Sequence, residues 1–177
     1  MEFIFLIGPP GAGKTACGQA LSKLLQCDFY DTDQLIQAEQ GRSVAEIFAA
    51  EGEPHFRKLE TQLLDTLDKL PSQSSLIIIG TGGGLPIYND NLQKLSSLGK
   101  VVALSAELPV LVERLENNTE RPLLSTNDPG KPSVTLHDRL SELMIQRSPV
   151  YGQAGYKIDT SGLSPEEVAH EIFRMVR

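Results

Sequence analysis

Phe3-Ile4-Phe5-Leu6-Ile7-Gly8-Pro9-Pro10-Gly11-Ala12-Gly13-Lys14-Thr15 decides the fold. The first five residues read as a buried strand. Gly8 to Thr15 match Gly-x4-Gly-Lys-Ser/Thr directly after that strand and directly before a helical pattern, the two contexts that give the spacing its meaning. Glycines let successive backbone N–H groups turn toward phosphate oxygens, and the helix N-terminus adds its positive dipole end. Lys14 spans the terminal phosphates and Thr15 offers a hydroxyl to Mg²⁺. The stretch predicts a nucleoside triphosphate site.

Outward from this loop, short apolar runs alternate with longer helical patterns, the rhythm of crossover units in a mostly parallel sheet. Five strands are expected, at residues 2–7, 28–31, Leu76 to Ile79, Val101 to Ser105 and Tyr156 to Asp159, so the class is α/β. Lys14 to Gln26 reads as a helix. Ser43-Val44-Ala45-Glu46 has the spacing of a capping box opening another, which Gly52 and Pro54 should interrupt. Ser164-Pro165-Glu166-Glu167 marks the start of the last helix, with Pro165 at its first position. Asn117 to Ser133 is polar, holds Pro122, Pro129, Gly130 and Pro132, and lacks apolar periodicity. A loop of that length within a compact chain reads as a functional lid over about 117–133.

A chain of 177 residues fits one domain, 1–177, with a core that needs neither disulfides nor metal. Its net charge of −7 argues against a nucleic-acid partner, whose phosphates call for clustered Lys and Arg. Screening confines the resulting repulsion of anions to about 8 Å at physiological salt, so a local group of cations still dominates inside a cleft. No apolar run approaches the roughly 18 residues of a membrane span, and the first apolar run is too short and too poorly flanked by positive charge for a signal peptide. Cys17 and Cys27 fall at opposite ends of one predicted helix, too far apart to bridge, which suits free thiols in a reducing, cytoplasmic compartment.

Several smaller constellations surround the loop. The second strand ends in Asp31-Thr32-Asp33, whose carboxylates, two apart in extended chain, face one side and can serve metal and substrate or simply cap a turn. Arg57 and Glu60 are helix neighbours, either a surface ion pair or a clamp that orients the guanidinium. Thr81-Gly82-Gly83-Gly84 follows the third strand and offers unshielded backbone N–H groups where ligands of open α/β sheets lie. Arg121 and Arg147 are solitary cations that their surroundings alone do not promote to a role. His55, His137 and His170 have no metal-ligand spacing.

Taken with the loop, Asp31-Thr32-Asp33, Phe56-Arg57, Thr81 to Gly84, Arg121-Pro122-Leu123-Leu124, Arg147-Ser148-Pro149-Val150-Tyr151 and Asp159-Thr160 resemble shikimate kinase in order and spacing over essentially the whole chain. The resemblance implies a three-layer kinase fold with parallel strand order 2-3-1-4-5, a lid, and a substrate-binding helical region at about 33–62. It implies ATP as phosphoryl donor, Mg²⁺ as cofactor and shikimate as acceptor, in a monomer. By position, Gly11, Ala12, Gly13, Lys14, Thr15, Ala16, Arg114, Arg121 and Pro165 would hold the nucleotide, with Thr15 and Asp31 at the metal. Asp33, Arg57, Gly82, Gly83, Gly84 and Arg147 would hold shikimate, and Lys14, Asp33 and Arg121 would act in catalysis.

Overall fold

The structure, a computed structural model, describes residues 1–116 and 135–176; the expected lid at 117–133, with Arg121, lies outside the described residues. Five strands, β1 (Glu2–Ile7), β2 (Asp28–Asp31), β3 (Leu76–Gly80), β4 (Gly99–Ser105) and β5 (Tyr156–Asp159), form one parallel sheet in the order β2-β3-β1-β4-β5. That is the expected order, and the strand bounds agree to within two residues. β4 begins at Gly99, earlier than its apolar run, because Gly99 and Lys100 pair with Phe3 and Ile4 of the central strand.

Seven helices among the described residues cover both faces: α1 (Lys14–Leu25), α2 (Thr32–Gln40), α3 (Val44–Leu63), α4 (Asn91–Leu98), α5 (Leu108–Glu116), α6 (Leu136–Tyr151) and α7 (Pro165–Val176). A strand buried on two faces shows no polar alternation, which is why β1 and β3 read as continuous apolar runs. Their side chains still divide with period two. Phe3, Phe5, Ile7, Ile77 and Ile79 join Ile36, Ile47 and Phe56 on one side, whereas Ile4, Leu6 and Ile78 join Leu21, Leu111 and Ile172 on the other. Each large apolar side chain so buried contributes about 1.5–3 kcal/mol.

Local signals set the helix starts. Ser43 and Glu46 form the predicted capping box, and Ser164 and Glu167 exchange the same pair of bonds at α7. Gly52, at φ 79° and ψ 173°, breaks α3 two residues before Pro54, as expected, and starts the segment that carries Arg57 and Glu60 on a new axis. One expectation changes. The chain is extended only to Asp31; α2 begins at Thr32, so Asp33 lies in a first helical turn, where its N–H donates to the capping Asp31 Oδ1 at 3.0 Å. Cys17 is buried and Cys27 half-buried, both as free thiols. Among the described residues no helix is long and apolar enough to cross a membrane.

The carboxyl ends of β1, β2 and β3 open onto the same rim, and the phosphate loop lies on it. Gly8 leaves β1 at φ 142°, and a Cβ there would stand 2.1 Å from the Leu104 carbonyl oxygen of β4. Strain and overlap act together, each on the order of 1–3 kcal/mol. Gly8→Ala is expected to destabilise the protein by about 3 kcal/mol in urea melts without nucleotide; a change within 0.5 kcal/mol of zero, the range of an ordinary surface substitution, would show that the β1–β4 approach is not tight.

Candidate active site

The loop after β1 takes its shape from three glycines at positive φ, Gly8 at 142°, Gly11 at 82° and Gly13 at 90°, the last of them the N-cap of α1. Lys14, in the first turn of α1, is buried and reaches back across the loop, where Nζ donates to the carbonyls of Gly8 and Pro9 at 2.9 Å each. Its ammonium is thereby held over the place that the loop encloses. Beside it the Thr15 hydroxyl donates to Asp31 Oδ2 at 3.1 Å, while the other oxygen of Asp31 caps α2. Asp31 thus caps α2 and also binds the phosphate-loop helix.

These groups border a cleft of about 350 Å³ lined by Gly11, Lys14, Thr15, Asp31, Asp33 and Arg114, among others. A second hollow, of about 310 Å³, lies at the opposite, amino-terminal edge of the sheet between Phe3, Leu98 and Phe173 and holds none of this chemistry. Arg114 closes the outer end of the cleft. Its Nη1 donates to Gly11 O at 3.2 Å and Thr160 Oγ1 at 3.1 Å, and its Nη2 to Thr160 O at 3.0 Å. Thr160 is buried, and its hydroxyl also lies within bonding distance of Ala12 O and Ser105 O, so it joins the loop, β4 and Arg114 at one point. Pro165 begins α7 a few residues beyond Thr160 and does not line the cleft.

The other end of the site is built on the glycine run. A Cβ on Gly82 would fall 2.5 Å from Asp33 Oδ1 and 2.9 Å from Glu60 Oε1, and one on Gly84 would fall 2.4 Å from Arg57 Nη1. One on Gly83 would meet Arg147 Nη1 at 3.4 Å. The glycines act here by leaving room. The Gly82 N–H, expected to face a ligand, instead donates to the buried Thr32 Oγ1 at 2.8 Å, and the Gly83 carbonyl accepts from Tyr151 at 2.6 Å. Asp33, Arg57, Gly82 to Gly84 and Arg147 are therefore together, from four separate elements.

Arg57 is not a surface ion pair. It is 5% exposed and Glu60 is 0% exposed. Nη1 donates to Glu60 Oε2 at 2.7 Å, while Nε and Nη2 donate to Glu53 Oε1 at 3.0 and 2.6 Å. Glu53 escaped the sequence reading although its i,i+4 spacing to Arg57 is the ordinary signal for such a pair. Of the five guanidinium N–H groups, two have no hydrogen-bond acceptor among the described residues. Burial alone would lower the Arg57 pKa, but the carboxylates of Glu60 and Glu53 outweigh it and hold the guanidinium charged. Burial pushes the Glu60 carboxyl from 4.5 up to about 7 against the pull of Arg57, with Asp33 adding to the rise and Arg147 opposing it. Among the described residues Glu60 Oε1 has no hydrogen-bond partner, in keeping with a carboxyl only partly ionised near neutrality.

A family model described as shikimate kinase matches residues 10–177. The shikimate kinase of Thermodesulfovibrio yellowstonii is 38% identical over 174 residues, which span 98% of this chain and 94% of that protein. Among solved structures, shikimate kinase from Acinetobacter baumannii in complex with shikimate superposes with a TM-score of 0.86 at 30% identity, covering 99% of this chain and 93% of that one. The enzyme from Bacteroides thetaiotaomicron gives 0.84 at 31% identity, covering 98% and 97%.

The raised Glu60 carboxyl has a consequence for stability. Between pH 4.5 and about 7 the unfolded chain releases this proton while the folded chain keeps it. The contribution is full below pH 4.5 and is lost as pH rises to about 7. At 1.36 kcal/mol per pH unit the loss is on the order of 3 kcal/mol. Glu60→Gln, neutral throughout, is expected to gain on the parent protein by that order across this window and to run parallel to it above, in urea melts taken in steps from acid to neutral pH. Parallel curves over the whole range would mean that Glu60 is ionised throughout.

Proposed function

This chain belongs to the shikimate kinase family, transferring the γ-phosphoryl group of ATP to shikimate, and from that premise we propose how its own residues divide the work. The observation that carries the reading is the two-ended site: an anion-binding loop with Lys14 at one end, and Asp33, Arg57 and Arg147 around a glycine floor at the other. The acceptor carries a carboxylate and hydroxyls. Arg57 and Arg147 receive the carboxylate, and Asp33 receives the 3-hydroxyl.

In the reaction the 3-hydroxyl oxygen forms a bond to the γ-phosphorus as the bond from that phosphorus to the bridging β-oxygen breaks. The hydroxyl proton passes to Asp33, and the electron pair leaves on ADP. Such a transfer is governed mainly by positioning and charge neutralisation. Lys14, released from the Gly8 and Pro9 carbonyls to the phosphate oxygens, supplies charge on one side, and Arg121 is the second cation, by the family resemblance. The N–H groups of Gly11 to Ala16 cradle the phosphates, and Arg114 with the segment reaching Pro165 holds the base.

Thr15 Oγ1 and Asp31 Oδ2, two hard oxygen donors 3.1 Å apart beside the phosphate loop, fit Mg²⁺, which takes few protein ligands and completes its shell with phosphate and water. Bound there, the ion would neutralise charge on the β- and γ-phosphates. The enzyme of this proposal is a monomer, and its free thiols suit a cytoplasmic protein. The proposal includes no nucleic-acid or membrane partner.

ADP release measured with shikimate, gluconate, AMP or CMP in turn is expected to respond to shikimate alone; activity on AMP but not on shikimate would overturn the acceptor assignment. Asp33→Asn should lower kcat at least 100-fold, the usual range for a lost general base, while a fluorescent ATP analogue binds as before. Unchanged turnover would remove Asp33 from the chemistry.

A further inference from the structure

Tyr88 stands outside every motif that marked the site. Its ring centroid lies 4.7 Å from Arg57 Cζ, closer than the rings of Phe56 at 5.6 Å and Phe48 at 5.9 Å, so three aromatic rings surround one guanidinium. Phe48 and Phe56 belong to α3 itself and pack against each other at 4.9 Å. Tyr88 arrives from a different element, the loop after the glycine floor, and at 37% exposure is the solvent-facing wall of this cage. Its hydroxyl donates to Glu53 Oε1 at 3.2 Å, the same oxygen that receives Arg57 Nε and Nη2.

The turn that follows is built to hold it there. Asn89 and Asp90 are consecutive non-glycine residues at φ 53° and 55°. Asn and Asp tolerate this conformation best, yet two in succession persist only when neighbouring contacts impose it. Those contacts lead back to Arg57. Asn89 Nδ2 and Asn91 Nδ2 donate to Thr61 Oγ1 at 3.0 and 3.1 Å, and Thr61 Oγ1 donates to the Arg57 carbonyl at 3.0 Å. A left-handed turn is thus pinned to the helical turn that bears Arg57, and it lays a ring over that arginine.

We infer that Tyr88 is a positioning residue for acceptor binding, which fixes the Arg57 guanidinium so that its two uncommitted N–H groups face the acceptor carboxylate and shields that contact from water. The inference rests on the assignment of Arg57 to the acceptor carboxylate. A ring over a cation lowers the cation's freedom and keeps out solvent, and both effects strengthen a charge-assisted contact. Neither effect reaches the phosphate loop. Loss of the ring should therefore act on one substrate and spare the other.

The test is steady-state kinetics of Tyr88→Ala, Tyr88→Leu and Tyr88→Phe, each with shikimate and ATP varied separately and with melting temperatures recorded. Tyr88→Ala and Tyr88→Leu are expected to raise KM for shikimate roughly tenfold while KM for ATP and kcat change less than about threefold. Tyr88→Phe, which keeps the ring, should restore KM for shikimate to within about threefold of the parent. An unchanged KM for shikimate in both ring-less variants would overturn the inference. So would an equal loss in Tyr88→Phe, or a parallel rise in KM for ATP with a lowered melting temperature. If the parent enzyme phosphorylates no shikimate, the acceptor assignment itself fails; if it does and the ring-less variants keep its KM, only the role of Tyr88 fails.

Discussion

The carboxyl rim of the sheet admits chain segments only where no Cβ intervenes, and the site is organised by that constraint. Gly8 passes against the Leu104 carbonyl of β4, Gly82 against Asp33 and Glu60, and Gly84 against the Arg57 guanidinium. Because these approaches are closer than a methyl group permits, charged groups from α2, α3 and α6 gather within contact distance of one stretch of backbone. The sheet supplies the rigidity for this. β1 lies between β3 and β4, so the phosphate loop and the glycine floor leave from adjacent strands and keep a fixed separation.

Gathering the charges creates an electrostatic problem that the site resolves locally. Two cations, Arg57 and Arg147, meet three carboxylates; the arginines and Glu60 are buried, Asp33 and Glu53 half-buried. A buried ion pair is a poor source of stability, since desolvation offsets most of the attraction. Its value here is orientation, with three of five guanidinium donors committed and two left directed elsewhere. The crowding of carboxylates would also oppose an anionic acceptor if all were ionised. Burial raises the Glu60 carboxyl to about 7, so near neutrality it adds less than a full charge to this crowding.

What could be read from the residues alone was what is local or periodic. The phosphate loop carries its own context, the five strands announce themselves as apolar runs, and Ser43 with Glu46 and Ser164 with Glu167 mark helix starts by spacing. The rest depends on contacts between elements. Asp31-Thr32-Asp33 contains no marker of where strand gives way to helix; Asp31 is both the last strand residue, opposite Gly80, and the cap that accepts from Asp33 N–H. Arg57 and Glu60 could not be assigned to surface or interior, because burial is set by the packing of α3 against the sheet. Tyr88 lies in no motif, and the partners of Glu53, Thr32 and Thr160 do not follow from their motifs alone. Each acts on a residue that only the tertiary fold brings near, except Glu53, whose spacing to Arg57 was visible.

The tripeptide Asp31-Thr32-Asp33 ties the phosphate-loop helix to the glycine floor. Asp31 accepts from Thr15 of the phosphate-loop helix, Thr32 accepts from the Gly82 N–H of the floor, and Asp33 packs its carboxylate on Gly82 beside Glu60. Three consecutive residues thereby grip the phosphate-loop helix and the floor, which the proposed function assigns to nucleotide and acceptor. Since the backbone between them is short and its middle residue is fully buried, the spacing cannot relax by side-chain motion alone. In a reaction that depends on placing an oxygen against a phosphorus, a misplacement of about 1 Å can cost 100-fold in rate. A covalent spacer of this length, anchored at each residue, is the simplest way for the fold to prevent it.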